Sequence, residues 1–314
     1  MMSYEQQMIA KLAMPQRGQI QAALLQQMLA RDGVIKEFGE SETVVDELAD
    51  QFGLNSMQRH AVLETVYRKE NRVKKSSLWH RILFRAADEL SRQGLVSRPT
   101  ATFHLTQRRE WMLTEKGFDA ALKLCDIPAT RRDSLLVASF EVCKIARGII
   151  NRSKPTRYSP IDTSKVARPK RTSSMLRRRG FRRAVVEAYG FRCAVCGLKI
   201  NAPDGLTWEV EAAHIVPNHA KGRDDIWNGI AMCRLHHWAF DAGWFTFNES
   251  FGVMLSDSLR HLPADYGIFG TYDFLRALAD TPATLMLPAH QRWHPDITAI
   301  RRHNHHIFSR RAIR

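Results

Sequence analysis

Apolar residues recur at three- and four-residue intervals through the first 125 positions and predict a run of helices. Gln19 to Ala30 carries this spacing and stops at Asp32-Gly33, and Glu42 to Gln51 repeats it and stops at Gly53. A third apolar run, Met57 to Tyr67, follows that turn. The chain then becomes strongly basic over Arg68-Lys69-Glu70-Asn71-Arg72-Val73-Lys74-Lys75, and Ser76-Ser77 caps a helix expected from Leu78 to Gln93, closed by Gly94. Leu95 to Ser97 and Trp111 to Thr114 read as short strands flanking a loop, and Glu115-Lys116-Gly117 opens the next helix. Asp133 to Asn151 reads as one further helix.

Between Arg152 and Arg183 the periodicity fades. Twelve Lys or Arg stand against one acid, Asp162, among Pro, Ser and Thr. This composition predicts a semi-extended basic connector, either a plain solvated linker or a strap along phosphates whose affinity would weaken steeply with salt. Pattern returns at Trp208 to Ile215, where alternation puts Val210, Ala212 and His214 on one strand face and Glu209, Glu211 and Ala213 on the other. Cys233 to Gly243 predicts a helix on which His237 and Asp241, four apart, share a face, while His236 is rotated from His237 by about 100°. Past residue 250 the text is less informative; Arg301-Arg302-His303-Asn304-His305-His306 reads as a basic helix end.

A chain of 314 residues has room for two or three domains with real cores. The formal net charge of +15 points to a polyanionic partner, nucleic acid or an anionic membrane surface. Membrane is the weaker choice, because no stretch approaches the roughly 20 apolar residues of a spanning helix and Met1-Met2-Ser3-Tyr4-Glu5-Gln6 does not read as a signal peptide. A cytoplasmic location is therefore expected, and the cysteines agree: Cys125 and Cys143 sit in apolar helical text as reduced thiols.

The other three cysteines carry chemistry. Cys193 and Cys196, with two residues between them, and Cys233 with His236, again with two between, have the spacing of two knuckles around one tetrahedral Zn²⁺. His214, Asn228, His237 and Asp241 are left over, and two imidazoles, an amide and a carboxylate suit metal-assisted phosphodiester cleavage.

Glu211-Ala212-Ala213-His214-Ile215, Asn228-Gly229 and His237-Trp238-Ala239-Phe240-Asp241-Ala242-Gly243 resemble the HNH nuclease superfamily, in the branch found in bacterial restriction endonucleases. The resemblance implies a β-hairpin and helix around one catalytic metal, with neutral His214 as general base and Asn228 orienting that imidazole or its strand. His237, with Asp241, would hold Mg²⁺ or a similar divalent cation. Many such enzymes have Asp immediately before the catalytic His; this chain has Ala213, so Asp241 is the expected substitute and Glu211 the second candidate. Upstream, Ala86-Ala87-Asp88-Glu89-Leu90, Gln93-Gly94-Leu95-Val96 and Trp111 to Gly117 resemble the amino-terminal winged helix of Mrr-type restriction enzymes.

The expected fold class is thus α+β: a winged-helix DNA-recognition domain at 1–125, a helix and basic linker at 126–178, and an HNH nuclease domain of ββα-metal type at 179–314 with a structural zinc. The implied function is a restriction endonuclease acting on double-stranded DNA, with methylated DNA as the candidate target and, since one HNH site cuts one strand, a homodimer as the candidate assembly. Arg68, Arg72, Lys74 and Lys75 are the expected phosphate contacts, and Trp79 and Trp111 the candidate walls of a modified-base pocket, with winged-helix core as their other reading. Two alternatives remain: a homing or phage nicking nuclease, and a zinc-stabilised DNA-binding regulator with an inactive HNH core.

Overall fold

The computed structural model describes residues 3–39, 42–67, 72–164, 171–263, 265–280 and 284–309. The chain divides into two compact units, Met1–Glu141 and Val142–Arg314. In the first, helices α1 (Tyr4–Lys11) and α2 (Arg17–Ala30) precede strand β1 (Val34–Lys36), helices α3 (Thr43–Gln51) and α4 (Ser56–Arg59), and a hairpin of β2 (Val62–Tyr67) and β3 (Arg72–Ser77). Helix α5 (Leu78–Arg92), β4 (Val96–Ser97), α6 (Pro99–Thr106), β5 (Glu110–Leu113) and α7 (Glu115–Leu124) complete it.

Strands β1, β5 and β4 form an antiparallel sheet in that order. The core lies between sheet and helices: Ile20, Leu24 and Met28 of α2, Leu48 of α3 and Trp79, Leu83 and Leu90 of α5 are buried at helical spacing. Thr114 caps α7 by accepting from the Gly117 N–H, and its hydroxyl donates to the Gly94 carbonyl at 2.7 Å. Gly117 is required by close approach, since a Cβ there would lie 1.8 Å from the Leu95 carbonyl oxygen.

Four expectations are corrected. Met57 to Tyr67 is not a third helix: only Ser56–Arg59 is helical, and Val62 to Tyr67 pairs with Arg72 to Ser77. Three β-branched or aromatic residues in Thr65-Val66-Tyr67, after Val62, favour a pleated strand over a helix. The loop before β5 contains α6, started by Pro99 at its first position. Within Asp133 to Asn151, α8 begins only at Phe140 (Phe140–Ile150); residues 135–139 run non-helical, buried from Leu135 to Ser139. The basic connector is also helical in part, because α9 covers Arg171–Ala188. Its apolar stripe, Phe181, Ala184 and Val185, is concentrated at and beyond the end of the Arg-rich text, so the charge run concealed the helical period.

In the second unit α8 and α9 are followed by an antiparallel hairpin, β6 (Val210–His214) and β7 (Gly229–Cys233), and by α10 (Arg234–Asp241). A second hairpin, β8 (Phe245–Phe247) with β9 (Val253–Leu255), lies beyond it. The short pair β10 (Ile268–Phe269) and β11 (Tyr272–Asp273) and helices α11 (Phe274–Ala279) and α12 (Ile297–His303) follow. Helix α9 packs on both strands of the first hairpin. Among the described residues no helix is long and apolar enough to cross a membrane.

Candidate active site and metal centre

Register fixes the frame of the site. Val210 pairs with Cys233 and His214 with Gly229, so the hairpin has one sulfur-bearing end and one imidazole-bearing end. At the sulfur end, Cys193 and Cys196 lie in a tight turn closed by the Gly197 N–H donating to the Cys193 carbonyl, and Cys233 ends β7. His236 follows in the first turn of α10.

The Cys193, Cys196, Cys233 and His236 donor atoms all lie within 4.8 Å of one another. His236 Nδ1 is 3.0 Å from the Cys233 sulfur and 3.8 Å from that of Cys193. Three sulfurs and one imidazole in a largely buried cluster match a structural Zn²⁺ site in donor type and spacing. Hydrogen bonds with Cys196 and Cys233 hold the Cys193 thiol far below its ordinary range, while those with Cys193 and Cys196, together with burial, push Cys233 up. Such a set favours a thiolate and is satisfied by a cation.

At the imidazole end, His214 is the last residue of β6. Its ring stacks on Phe181 of α9, with centroids 4.0 Å apart and planes 16° from parallel. Its Nε2 lies 3.0 Å from Asp224 Oδ1. Asp224 is itself held by Arg177, whose Nε is 2.7 Å from Oδ2. Gly229, opposite His214, admits this stack: a Cβ there would lie 2.4 Å from Val185 Cγ2 and 3.0 Å from Phe181 Cζ. The Asn-Gly motif thus supplies the space that α9 fills.

Asn228 is fully buried and serves the backbone. Its Oδ1 accepts from the Val216 N–H at 2.8 Å, and its Nδ2 donates to the carbonyls of Val216 and Arg223 at 3.1 and 2.9 Å. It pins both ends of the loop that carries Asp224, rather than touching the imidazole.

His236 and His237 separate as the helical rotation requires. His236 is 3 % exposed and faces the sulfurs, whereas His237 meets Glu211, with Nδ1 3.2 Å from Oε2, and Asp241, with Nε2 3.6 Å from Oδ2. Burial acts to lower the His237 pKa, and these two carboxylates outweigh it, so it lies above its ordinary value. The bond from His237 holds the Glu211 carboxyl below the usual carboxylate range.

Strict alternation does not describe β6. Val210 and Ala213, not Val210 and Ala212, are its buried pair, in a two-stranded ribbon whose register carries no extra residue. Short ribbons twist strongly, and helices cover this one, so burial does not follow parity. Glu211 therefore reaches His237 without a bulge.

Asp224 went unrecognised in the sequence. It lies in an irregular loop ten residues beyond His214, and only the Asp224-Asp225 doublet before Asn228 marked it.

In the first unit, Trp79 and Trp111 are core residues, each 2 % exposed, and Trp79 Nε1 donates to the Val45 carbonyl at 3.0 Å. Neither presents a ring face to a base. Lys75 is exposed on β3, 3.2 Å from Glu64. Arg68 lies outside the described residues, as do the side chains of Arg72 and Lys74.

The HNH endonuclease family matches residues 193–248, the segment that holds the sulfur cluster, both strands of the hairpin and α10. This part of the chain is similar to HNH endonuclease domains. A solved structure, "Modification dependent TagI restriction endonuclease", is similar at 23 % identity and a TM-score of 0.28, over 40 % of this chain and 37 % of that one. No curated protein matches the chain.

Proposed function

We propose that the protein is a DNA endonuclease of restriction type that hydrolyses phosphodiesters at the His214 end of the hairpin. The observation that carries this reading is the His214–Asp224 pair inside an HNH domain. With Nε2 on the carboxylate, Nδ1 is the ring nitrogen that makes no hydrogen bond among the described residues. Neutral His214 then takes a proton from the attacking water at Nδ1, and the resulting imidazolium is stabilised by Asp224. Phe181 fixes the ring plane, and buried Asn228 fixes the loop.

His237 Nδ1–H donating to Glu211 would leave Nε2 toward Asp241, so Nε2 and the Asp241 carboxylate would hold a divalent cation, with Glu211 as the orienting carboxylate. Such a cation, Mg²⁺ or similar, would neutralise charge on the scissile phosphate and leaving oxygen. The four-ligand cluster would hold Zn²⁺ as a structural element.

For the first unit, the helix and strand order ending in β4 and β5 supports reading it as a winged-helix recognition domain. Methylated-base dependence is the finer form of this proposal, although the two tryptophans give it no pocket.

The test is Mg²⁺-dependent cleavage by wild type and His214→Ala on matched plasmids carrying adenine methylation, cytosine methylation or neither. Cleavage lost in the variant supports the nuclease, and cleavage of one modified plasmid alone supports the finer form. Equal cleavage of all three removes modification dependence. DNA binding without cleavage of any plasmid would favour an inactive, regulatory HNH core.

A further inference from the structure

The first unit carries a groove of about 1390 Å³ between α5 and the β2–β3 hairpin, lined in part by Lys75 and separate from the metal and imidazole chemistry described above. Six Lys or Arg side chains line it, against three carboxylates, Asp46, Asp88 and Glu89. Five of the six are ion-paired, Arg59 with Asp50, Lys75 with Glu64, Arg92 with Asp88 and Glu89, and Arg81 and Arg85 together with Glu5, and the long wall of the groove is the solvent face of α5. Arg81, Phe84, Arg85, Asp88 and Arg92 recur there at three- and four-residue spacing, while Leu83, Ala86 and Leu90 turn into the core.

Two features make this more than a solvated charged face. The Phe84 ring is 51 % exposed yet anchored, edge-on to buried Trp111 with centroids 5.6 Å apart. Phe38, which also lines the groove, packs on the same indole at 6.3 Å. An exposed phenyl ring set among guanidinium groups is poor for solubility but suits a flat aromatic ligand with attached negative charge.

The second feature is an anion cradle. Arg81 Nε and Arg85 Nη2 each lie 2.8 Å from a single oxygen, Glu5 Oε2. Two cations converge on one carboxylate, so the pair keeps an excess positive charge and is already spaced around an oxyanion. The Arg81 and Arg85 side chains stay 40 and 46 % exposed.

We propose that this groove is where DNA docks on the first unit, with backbone phosphate at Arg81 and Arg85 and the face of one base, turned out of the helical stack, against Phe84. The inference rests on reading the chain as a DNA-cleaving enzyme and names where that enzyme holds its substrate. An acidic peptide without an aromatic side chain would satisfy the arginines and leave the phenyl face uncovered.

The experiment is equilibrium binding of the full-length chain carrying His214→Ala to a labelled duplex without divalent metal, across a salt series. Three further backgrounds are compared: Arg81→Ala with Arg85→Ala, Phe84→Ala, and Arg276→Ala with Arg301→Ala, which removes the same charge from the second unit. The arginine pair should bind at least about tenfold more weakly, with the slope of log affinity against log salt reduced by about one to two. Phe84→Ala should lose about tenfold with little change in slope, and it leaves Glu5 paired should the double variant fold poorly. The second-unit control should stay within about twofold. Groove variants that bind like the parent, or a control that loses as much as they do, would overturn the proposal. So would no DNA binding by any of the proteins, whereas the Proposed function is judged separately by cleavage with the wild type on the same duplex.

Discussion

His214 Nε2 and Asp224 Oδ1 stand 3.0 Å apart, joining the end of a strand to a loop whose course Asn228 fixes from beneath. The contact selects one tautomer and one ring orientation, with Arg177 holding the other carboxylate oxygen. An imidazole so held keeps its orientation without a ligand.

Asp224→Asn keeps the shape but weakens support for a charged imidazole. Single-turnover cleavage should slow by about 10- to 1,000-fold, with DNA affinity changed by less than about twofold. The rate against pH should shift as well, which a purely structural role would not cause. An unchanged rate and profile would remove Asp224 from the mechanism.

Gly229→Ala places a Cβ against Val185 and Phe181. Overpacking of this kind costs about 1–3 kcal/mol, so the melting temperature should fall by several degrees. Cleavage should fall further than the loss of stability explains, because the displaced Phe181 no longer defines the His214 ring plane. Thermal melts and rates on the same preparation check both.

Zinc content offers a direct measurement. Elemental analysis should find one Zn²⁺ per chain, absent in Cys193→Ser, and a strong chelator should lower the melting temperature of the second unit. A wild-type preparation free of zinc yet fully folded would contradict the assignment.

Asp241→Ala and Glu211→Gln separate a metal ligand from an orienting group. Asp241→Ala should raise the Mg²⁺ concentration needed for half-maximal cleavage by at least about tenfold. Glu211→Gln, which can still accept from His237, should raise it less. The reverse order would make Glu211 the ligand.

Trp79→Phe removes a buried indole and its bond to the Val45 carbonyl. Loss of about 1–3 kcal/mol of stability is expected, with discrimination between methylated and unmethylated DNA unaltered.

The sequence was most legible where chemistry demands fixed spacing. The spacing inside each of the pairs Cys193/Cys196 and Cys233/His236 and the opposite turns taken by His236 and His237 follow from local geometry that no distant partner can change. The β6 strand and the helix after Cys233 were visible for the same reason. Legibility failed where one pattern hid another. The apolar spacing of Met57 to Tyr67 fitted a helix until a partner strand, Arg72 to Ser77, was available to pair with it. The arginines of α9 masked a helix whose buried stripe begins at Phe181. Asp224 was hidden because its role depends on a loop returning to a strand end, and such closure leaves no periodic trace.

Cys233 belongs to three structures at once: it ends β7, precedes the first turn of α10, and lends a sulfur to the Cys–His cluster. Pairing of Val210 with Cys233 therefore acts as a datum from which the remaining pairs are counted, down to His214 against Gly229. A slip of one residue at that datum would turn every later side chain to the opposite face. Damage to the cluster should then surface first as misalignment four residues away, at the His214–Gly229 pair, in a chain that still folds but no longer holds its imidazole in place.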